Sequence, residues 1–268
     1  MATGSFDNTA RLWSSETGKC LSVYRGHTME IVCLAFDPMS IQLLTGSMDK
    51  RAILWNLDTD QELFEIEHEG EIISVSFNMD GDKILTGSFD KTVKIWDSSD
   101  GSFIADLKEH TAEISACQFN YAGTQVVTSS IDKTCKLWDL RNTSRSIATF
   151  EGHTKDVMDV TFNLTGTKIA SASSDGTAMI YDVKTLKTEH ILTGHTKEIS
   201  KCVFDSRGNT LMTGSSDSTV KLWDVDTGKC KQSLEGHKDE IFSCAFNYDG
   251  DIIITASKDN TCNIWGAN

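Results

Sequence analysis

One spacing recurs six times along this chain: a histidine is followed 22 residues later by an aspartate. The pairs are His27 and Asp49, His68 and Asp90, His110 and Asp132, His153 and Asp175, His195 and Asp217, and His237 and Asp259. Successive histidines of the series lie 41 to 43 residues apart, and of seven histidines His190 alone stands outside it. The surrounding segments align without gaps: "GHTMEIVCLAFD", "EHEGEIISVSFN", "EHTAEISACQFN", "GHTKDVMDVTFN", "GHTKEISKCVFD" and "GHKDEIFSCAFN". Such a chain is an array of one supersecondary unit of ~40 residues, each burying its apolar face against its neighbours. That overrides the two domains its length would otherwise suggest.

Within a unit the pattern is of short strands. "IVCLAF" is apolar throughout, as for a strand buried on both faces. A turn such as "NMDGD" or "NYAGT" follows, then "KILTGS", a tight turn at the Asp, "TVKIWD", a turn such as "DTGK", and a polar outer strand such as "CKQSLEG". Four strands per unit with Gly-His and Trp-Asp signatures predict an all-β propeller. On these motifs the whole chain resembles the WD-repeat family. Tyr181 for Trp, Glu67 and Glu109 for Gly, and Asn56 for Asp depart from its pattern.

The expected layout is one propeller over 1–268. Five complete four-stranded units cover 26–66, 67–108, 109–151, 152–193 and 194–235, with partial units at 1–25 and 236–268. The opening "MATGSFDNTARLW" is the back half of a unit. The expectation is that upstream sequence is missing from an incomplete gene model, or that the two partial blades pair to close the ring. Both about seven blades and membership of an eight-bladed ring fit.

Composition limits the partners. With 39 acids against 25 bases the net charge is -14, a poor match for nucleic acid or an anionic membrane. No basic segment leads into an apolar run, and no run reaches spanning length, so a cytoplasmic protein is expected. Seven of the eight cysteines follow the repeat: Cys117, Cys202 and Cys244 share one register, Cys135 and Cys262 another, and Cys20 and Cys230 both end "TGKC". Small buried thiols are expected there, with no metal site. "TGKC" lacks the upstream Gly and the Ser or Thr of a phosphate loop, so no cofactor is expected.

Every full unit also carries a serine two residues before its aspartate: Ser47, Ser88, Ser130, Ser173, Ser215 and Ser257. Ser, His and Asp together suggest a hydrolase, but an active site needs one constellation, not six evenly spaced copies. The family resemblance implies instead that His, Ser, Asp and a third-strand aromatic form a structural tetrad. Trp55, Trp96, Trp138, Trp223 and Trp265 complete five of them, and Tyr181 completes the other poorly.

Function is then sought at positions the fold does not demand. Three residues after each histidine stands an acid: Glu30, Glu71, Glu113, Asp156, Glu198 and Glu240. Each either caps backbone amides or joins an acidic ring that receives a basic segment. Just before the aspartates stand Phe6, Met48, Phe89 and Ile131, and two residues after the acid of the last unit stands Phe242. Grouped apolar residues there suggest a partner hot spot, with packing between units as the alternative.

The segments "GHKDEIFSCAFNYDGDIIITASKDNTCNIW", "HEGEIISVSFNMDGDKILTGSFDKTVKIWD" and "GHTMEIVCLAFD" are similar to the WD-repeat assembly factors of outer-arm dynein, the Glu-Ile after His included. That resemblance implies a non-catalytic adaptor that carries outer-arm dynein into cilia or flagella on the intraflagellar transport machinery. Its partners would be dynein and transport subunits, bound through basic or amphipathic segments. The alternative is a generic scaffold, such as a ubiquitin-ligase substrate receptor or a histone-tail reader.

Overall fold

The structure, a computed structural model, describes residues 1–266. The protein is an all-β, seven-bladed β-propeller, with 26 strands and no helix among the described residues. Five sheets have four strands, and the first and last have three each. One full sheet illustrates all: Ile31–Phe36, Gln42–Ser47, Arg51–Asn56 and Glu62–Glu67 pair antiparallel in chain order. The first sheet holds Ala2–Gly4, Thr9–Trp13 and Cys20–Arg25, and the last Ile241–Phe246, Ile252–Ser257 and Cys262–Gly266. The chain divides into two compact units. Unit 1 comprises Met1–Thr124 and Asp139–Ser146; unit 2 comprises Gln125–Trp138 and the chain from Ile147.

The turns are written in polar side chains. At the end of a first strand, Asn or Asp folds back to accept the amides that start the second: Asn78 Oδ1 takes the Lys83 N–H at 2.9 Å, and Asp205 Oδ1 takes those of Asn209 and Thr210 at 2.8 and 3.0 Å. This is the side-chain mimicry that makes Asn and Asp turn formers. In the next turn the residue after the repeat aspartate has a positive φ: 72° at Lys50, 72° at Lys91, 69° at Ser218 and 82° at Gly176. Three of those four are not glycine, so a left-handed conformation is held there against its usual cost of ~1 kcal/mol.

First strands are less buried than an all-apolar reading requires. In Ile31–Phe36 only Ile31 is fully buried; Val32 is exposed and the rest are half-buried. The buried residue is a plug. A Cβ built on Gly46 would meet Cys33 Sγ at 2.6 Å, Ile72 Cγ2 at 2.9 Å and Val75 Cγ1 at 3.0 Å. Gly4 faces Ile31, Gly87 faces Ile114 and Gly214 faces Ile241 in the same way. The glycine of each "TGS" is thus a socket for the isoleucine that opens the next sheet, and these isoleucines are 0–4% exposed. A second tie joins neighbouring first strands in unit 2: buried Asp159 accepts Lys201 Nζ at 2.9 Å and the Cys202 N–H at 3.0 Å.

Gly46→Ala is expected to destabilise by about 1–3 kcal/mol through overpacking. The sign is informative, because Ala for Gly in an uncrowded strand stabilises by roughly 0.5–1 kcal/mol. Denaturant titration of the two proteins reads it, and a stabilised Gly46→Ala would dismiss the socket.

The thiols divide. Cys117, Cys135, Cys202 and Cys244 are buried as expected, whereas Cys20, Cys230 and Cys262 are exposed. Cys262 shares a register with buried Cys135 but lies in the last sheet, where its neighbour Ile264 is 74% exposed. No cluster of three metal-ligating side chains occurs among the described residues.

Candidate functional site

The Asp-turn ends of five sheets are built on a hydrogen-bond chain that runs through the sheet. In the sheet of Asp217, Trp223 Nε1–H donates to Thr213 Oγ1 at 2.8 Å, and Thr213 Oγ1 meets His195 Nε2 at 2.8 Å. His195 Nδ1 then meets Asp217 Oδ2 at 2.8 Å. A carboxylate only accepts, so Nδ1 carries the proton; burial, which lowers the His195 pKa, favours the neutral ring, in which Nε2 accepts from the threonine hydroxyl. The carboxylate also takes the Thr196 N–H at 3.0 Å, the Thr219 N–H at 3.0 Å and the Thr219 hydroxyl at 2.6 Å. Four donors on one side chain close the turn and hold its left-handed residue.

The same chain recurs. His27 bridges Asp49 and Thr45 at 2.9 Å each, and Trp55 donates to Thr45 at 3.0 Å. His68 bridges Asp90 at 2.8 Å and Thr86 at 2.7 Å, with Trp96 on Thr86 at 2.8 Å. His237 bridges Asp259 at 3.0 Å and Thr255 at 2.8 Å, with Trp265 on Thr255 at 3.0 Å. Trp138 donates to Thr128 at 3.0 Å, and Asp132 takes the Thr134 N–H at 3.0 Å, beside a buried His110.

Two expectations change. The hydroxyl that joins histidine to tryptophan is not the serine two residues before the aspartate but the residue four before it. Ser47 donates instead to the Met29 carbonyl at 3.1 Å, Ser215 to the Glu198 carbonyl at 2.7 Å, Ser173 to the Asp156 carbonyl at 2.8 Å and Ser257 to the Asp239 carbonyl at 3.0 Å. Strand alternation is the reason: residues two apart share a face, but the serine lies at the strand end, where it meets the incoming loop rather than the ring. Ser47, Ser88, Ser130, Ser173, Ser215 and Ser257 each accept the amide of their aspartate at 3.0–3.2 Å. These serines are therefore not paired with the bridging imidazoles, since His27, His68, His153, His195 and His237 spend Nε2 on the other hydroxyl. Tyr181 also does better than expected. Its hydroxyl reaches Ser171 Oγ at 3.0 Å, and Ser171 reaches His153 Nε2 at 2.8 Å. Tyr181 is fully buried, and Phe150 stacks on it at 4.4 Å.

The electrostatics agree with a neutral imidazole. Burial pushes His27, His68, His153 and His195 below the usual histidine value, outweighing their aspartates. Burial works to raise Asp175 and Asp217, but the threonine, amide and histidine donors prevail and bring both down to about 2.

The surface over this frame carries the candidate partner residues. Each acid position is fixed by its backbone: the carbonyls of Glu30, Glu71, Asp156, Glu198 and Glu240 accept the amides of Met48, Phe89, Ser174, Ser216 and Lys258 at 2.9–3.0 Å. Their side chains do something else. Among the described residues none of the six carboxylates, Glu113 included, takes a hydrogen bond from a backbone amide, and Glu240 pairs with Lys258 at 3.3 Å. Two residues further on, the ladder slips by one: Ile31 pairs Ser47 but Cys33 pairs Gly46, and Val157, Ile199 and Ile241 begin the same bulge. The bulged residue points out of the sheet, which explains the exposure of Val32, Met158 and Phe242. Nothing in composition signals this bulge. Phe6 is exposed, while Met48, Phe89 and Ile131 are half-buried, so packing claims part of those three. In unit 2 a cavity of about 450 Å³ is lined by Lys155, Lys197, Glu198, Glu240, Ser174 and Ser216, among others.

Comparison with known proteins follows the same periodicity. The family model described as "WD domain, G-beta repeat" matches residues 18–56, 61–97, 101–139, 144–182, 186–224 and 228–266. Among curated proteins, the chain is 46% identical over 55 residues to WD repeat-containing protein 37 of Homo sapiens, covering 20% of this chain and 11% of that protein. It is 37% identical over 70 residues to Periodic tryptophan protein 2 homolog of Dictyostelium discoideum, covering 25% and 8%. With Mitochondrial division protein 1 of Aspergillus clavatus it shares 35% over 57 residues, 21% of this chain and 8% of that one. The alignments span about a tenth of these relatives' length.

Proposed function

The chain belongs to the WD domain, G-beta repeat family, and from that premise we propose that it is a non-catalytic scaffold whose Asp-turn end receives a basic segment of a partner protein. The observation that carries this reading is found in each unit by itself: Glu30 and Glu71 in unit 1, and Asp156, Glu198 and Glu240 in unit 2, are held by their own backbone carbonyls while their carboxylates cap no backbone amide. Beside them the bulged Val32, Met158 and Phe242 offer apolar contacts. Charge of this kind speeds encounter, and apolar contacts slow departure. Similarity of the repeat segments to the WD-repeat assembly factors of outer-arm dynein supports the finer reading: an adaptor for outer-arm dynein on intraflagellar transport, working in the cytoplasm and cilium. No helix among the described residues is long and apolar enough to cross a membrane.

The test is binding kinetics of purified outer-arm dynein and intraflagellar transport subunits. Glu71→Gln/Glu113→Gln/Glu198→Gln removes charge at three positions and spares the ion-paired Glu240. Association at low salt is expected to slow about tenfold or more, with melting unchanged. Phe242→Ser is expected to raise the dissociation rate instead. If neither preparation binds, the ciliary reading fails; if the Gln variant binds as fast as the parent, the acidic end is not the receiving surface.

A further inference from the structure

At the opposite end of the same strands lies a second surface. First strands of six residues carry the chain about 20 Å from the acid position to the next turn. In unit 1 three such turns stand side by side. A Cβ on Gly81 would lie 3.3 Å from Pro38 Cδ, and one on Gly123 would lie 3.4 Å from Asn78 Nδ2. Each turn is pinned by its Asp37, Asn78 or Asn120 cap, so its next residues are held rigidly outward. Those residues are large and apolar: Met39 is 77% exposed, Met79 50% and Tyr121 56%. The turn itself does not require them: the one capped by Asp205 forms by the same hydrogen bonds with Ser206 in that place, although Leu164 and Tyr248 are exposed at the same place in unit 2.

The loops between third and fourth strands reach this end too, since the Leu57 N–H bonds the Ile41 carbonyl at 2.9 Å and the Ser98 N–H bonds that of Asp82 at 3.1 Å. They bring acids. Asp58, Asp80 and Asp100 are exposed among the apolar turns. Of the cations in these loops, Lys83 is held by Asp82 at 2.7 Å and Arg141 by Asp139 at 2.5 Å, which leaves Lys19 and Arg145.

We propose that this turn face of unit 1 docks a cationic amphipathic segment of another protein, with Met39, Met79 and Tyr121 as apolar anchors and the surrounding aspartates as the complementary rim. Pre-set apolar anchors supply the contact energy at low ordering cost, and the acids select Lys- or Arg-bearing partners. The site is separate from the Asp-turn end, so each end binds with the other mutated.

The experiment uses the full chain and three labelled helical peptides of about 18 residues, five turns long: Leu/Lys amphipathic, Leu/Glu with the same apolar face, and Ser/Lys with none. Fluorescence anisotropy is expected to show binding of the Leu/Lys peptide only. Met39→Ser/Met79→Ser/Tyr121→Ser should weaken it at least about tenfold, while Leu164→Ser/Tyr248→Ser in unit 2 and the Gln variant of the acidic end leave it intact. Asp58→Asn/Asp80→Asn should slow association and flatten its salt dependence. All replaced side chains are exposed except Glu71 and Glu113 of the Gln variant, which are half-buried, and unchanged melting confirms folding. Equal binding of Ser/Lys would reduce the surface to net charge, equal binding of Leu/Glu would remove the complementarity, and a triple variant that binds like the parent would overturn the site.

Discussion

Asp217→Ala is expected to cost about 3–5 kcal/mol, because several buried or half-buried donors lose their acceptor together, at roughly 1–3 kcal/mol for each one left unsatisfied. The loss strands four donors at once: the His195 imidazole, the amides of Thr196 and Thr219, and the Thr219 hydroxyl. The turn then has nothing to hold its left-handed residue, Ser218 at φ 69°. Ser215→Ala should cost less, about 1–2 kcal/mol, because it removes one bond to the Glu198 carbonyl and one from the Asp217 amide. Thr213→Val should fall between them, leaving Trp223 Nε1–H and His195 Nε2 unpaired in a buried place. The ordering Asp217, then Thr213, then Ser215 separates the observed chain from a tetrad built on the serine. Denaturant midpoints of the three variants read it directly. A Ser215→Ala protein weaker than Thr213→Val would reverse the assignment. The Thr213→Val and Asp217→Ala effects should also fall short of additive, since both act on one histidine.

Stability is expected to fall as the solution is acidified, in two stages. His27, His68, His153 and His195 have folded pKa values below the unfolded value of about 6.5. A depressed value means the unfolded chain binds the proton first, so the stability these groups add is complete above pH ~6.5 and is lost as pH drops through their folded values. Asp175 and Asp217 sit at about 2, against an unfolded value of about 3.9. Their share is complete above pH ~4 and is lost on the way down to their folded values. The melting temperature should therefore be flat from pH 8 to 7, decline below 6.5 and steepen below 4. Each kcal/mol lost lowers the melting temperature by roughly 2–4 °C for a chain of this size. Neutralising surface acids relieves some repulsion in a chain of net charge -14, but exposed charges weigh about 0–1 kcal/mol each. An imidazolium paired with aspartate would give the opposite sign: stability would rise from pH 7 to 5.5. Observing that rise would rule out the neutral chain.

The strands and the histidine–aspartate pairs were legible because a fixed spacing of 22 residues survives every local substitution. Four strands per unit followed from turn residues alone. The bridging hydroxyl was equally present in the sequence, as the Thr of each "LTGS", yet the adjacent serine drew attention by its nearness to the aspartate. The one unit that departs is instructive: Ser171 replaces Thr where Tyr181 replaces Trp, so the two members of the bond change together. The acid of each Glu-Ile stands out in the sequence, whereas its isoleucine is the plug of the neighbouring sheet. Sequence periodicity reports which residue recurs and is silent on which sheet it touches. The bulge after the acid was hidden for a related reason, since it changes the pairing of strands without changing their composition. Cys262 failed as a buried thiol because register fixes a residue's face, while burial depends on what stands against that face.

The plug and socket also set rules for how such a chain can grow by duplication. A copied unit arrives with its own isoleucine and its own hollow, and it fits only where the neighbour's hollow is deep enough. Glycine sockets at Gly4, Gly46, Gly87 and Gly214 accept an isoleucine. In unit 2 the strand Gln125–Ser130 packs against Val157–Phe162, and there Ser129 takes the place of the glycine and Val157 that of the isoleucine. At this joint a larger residue on one strand goes with a smaller one on the other. Repeats of nearly identical text are therefore not interchangeable: transplanting the unit that opens with Ile72 behind Ser129 would meet a filled hollow, although every signature residue would still be in place.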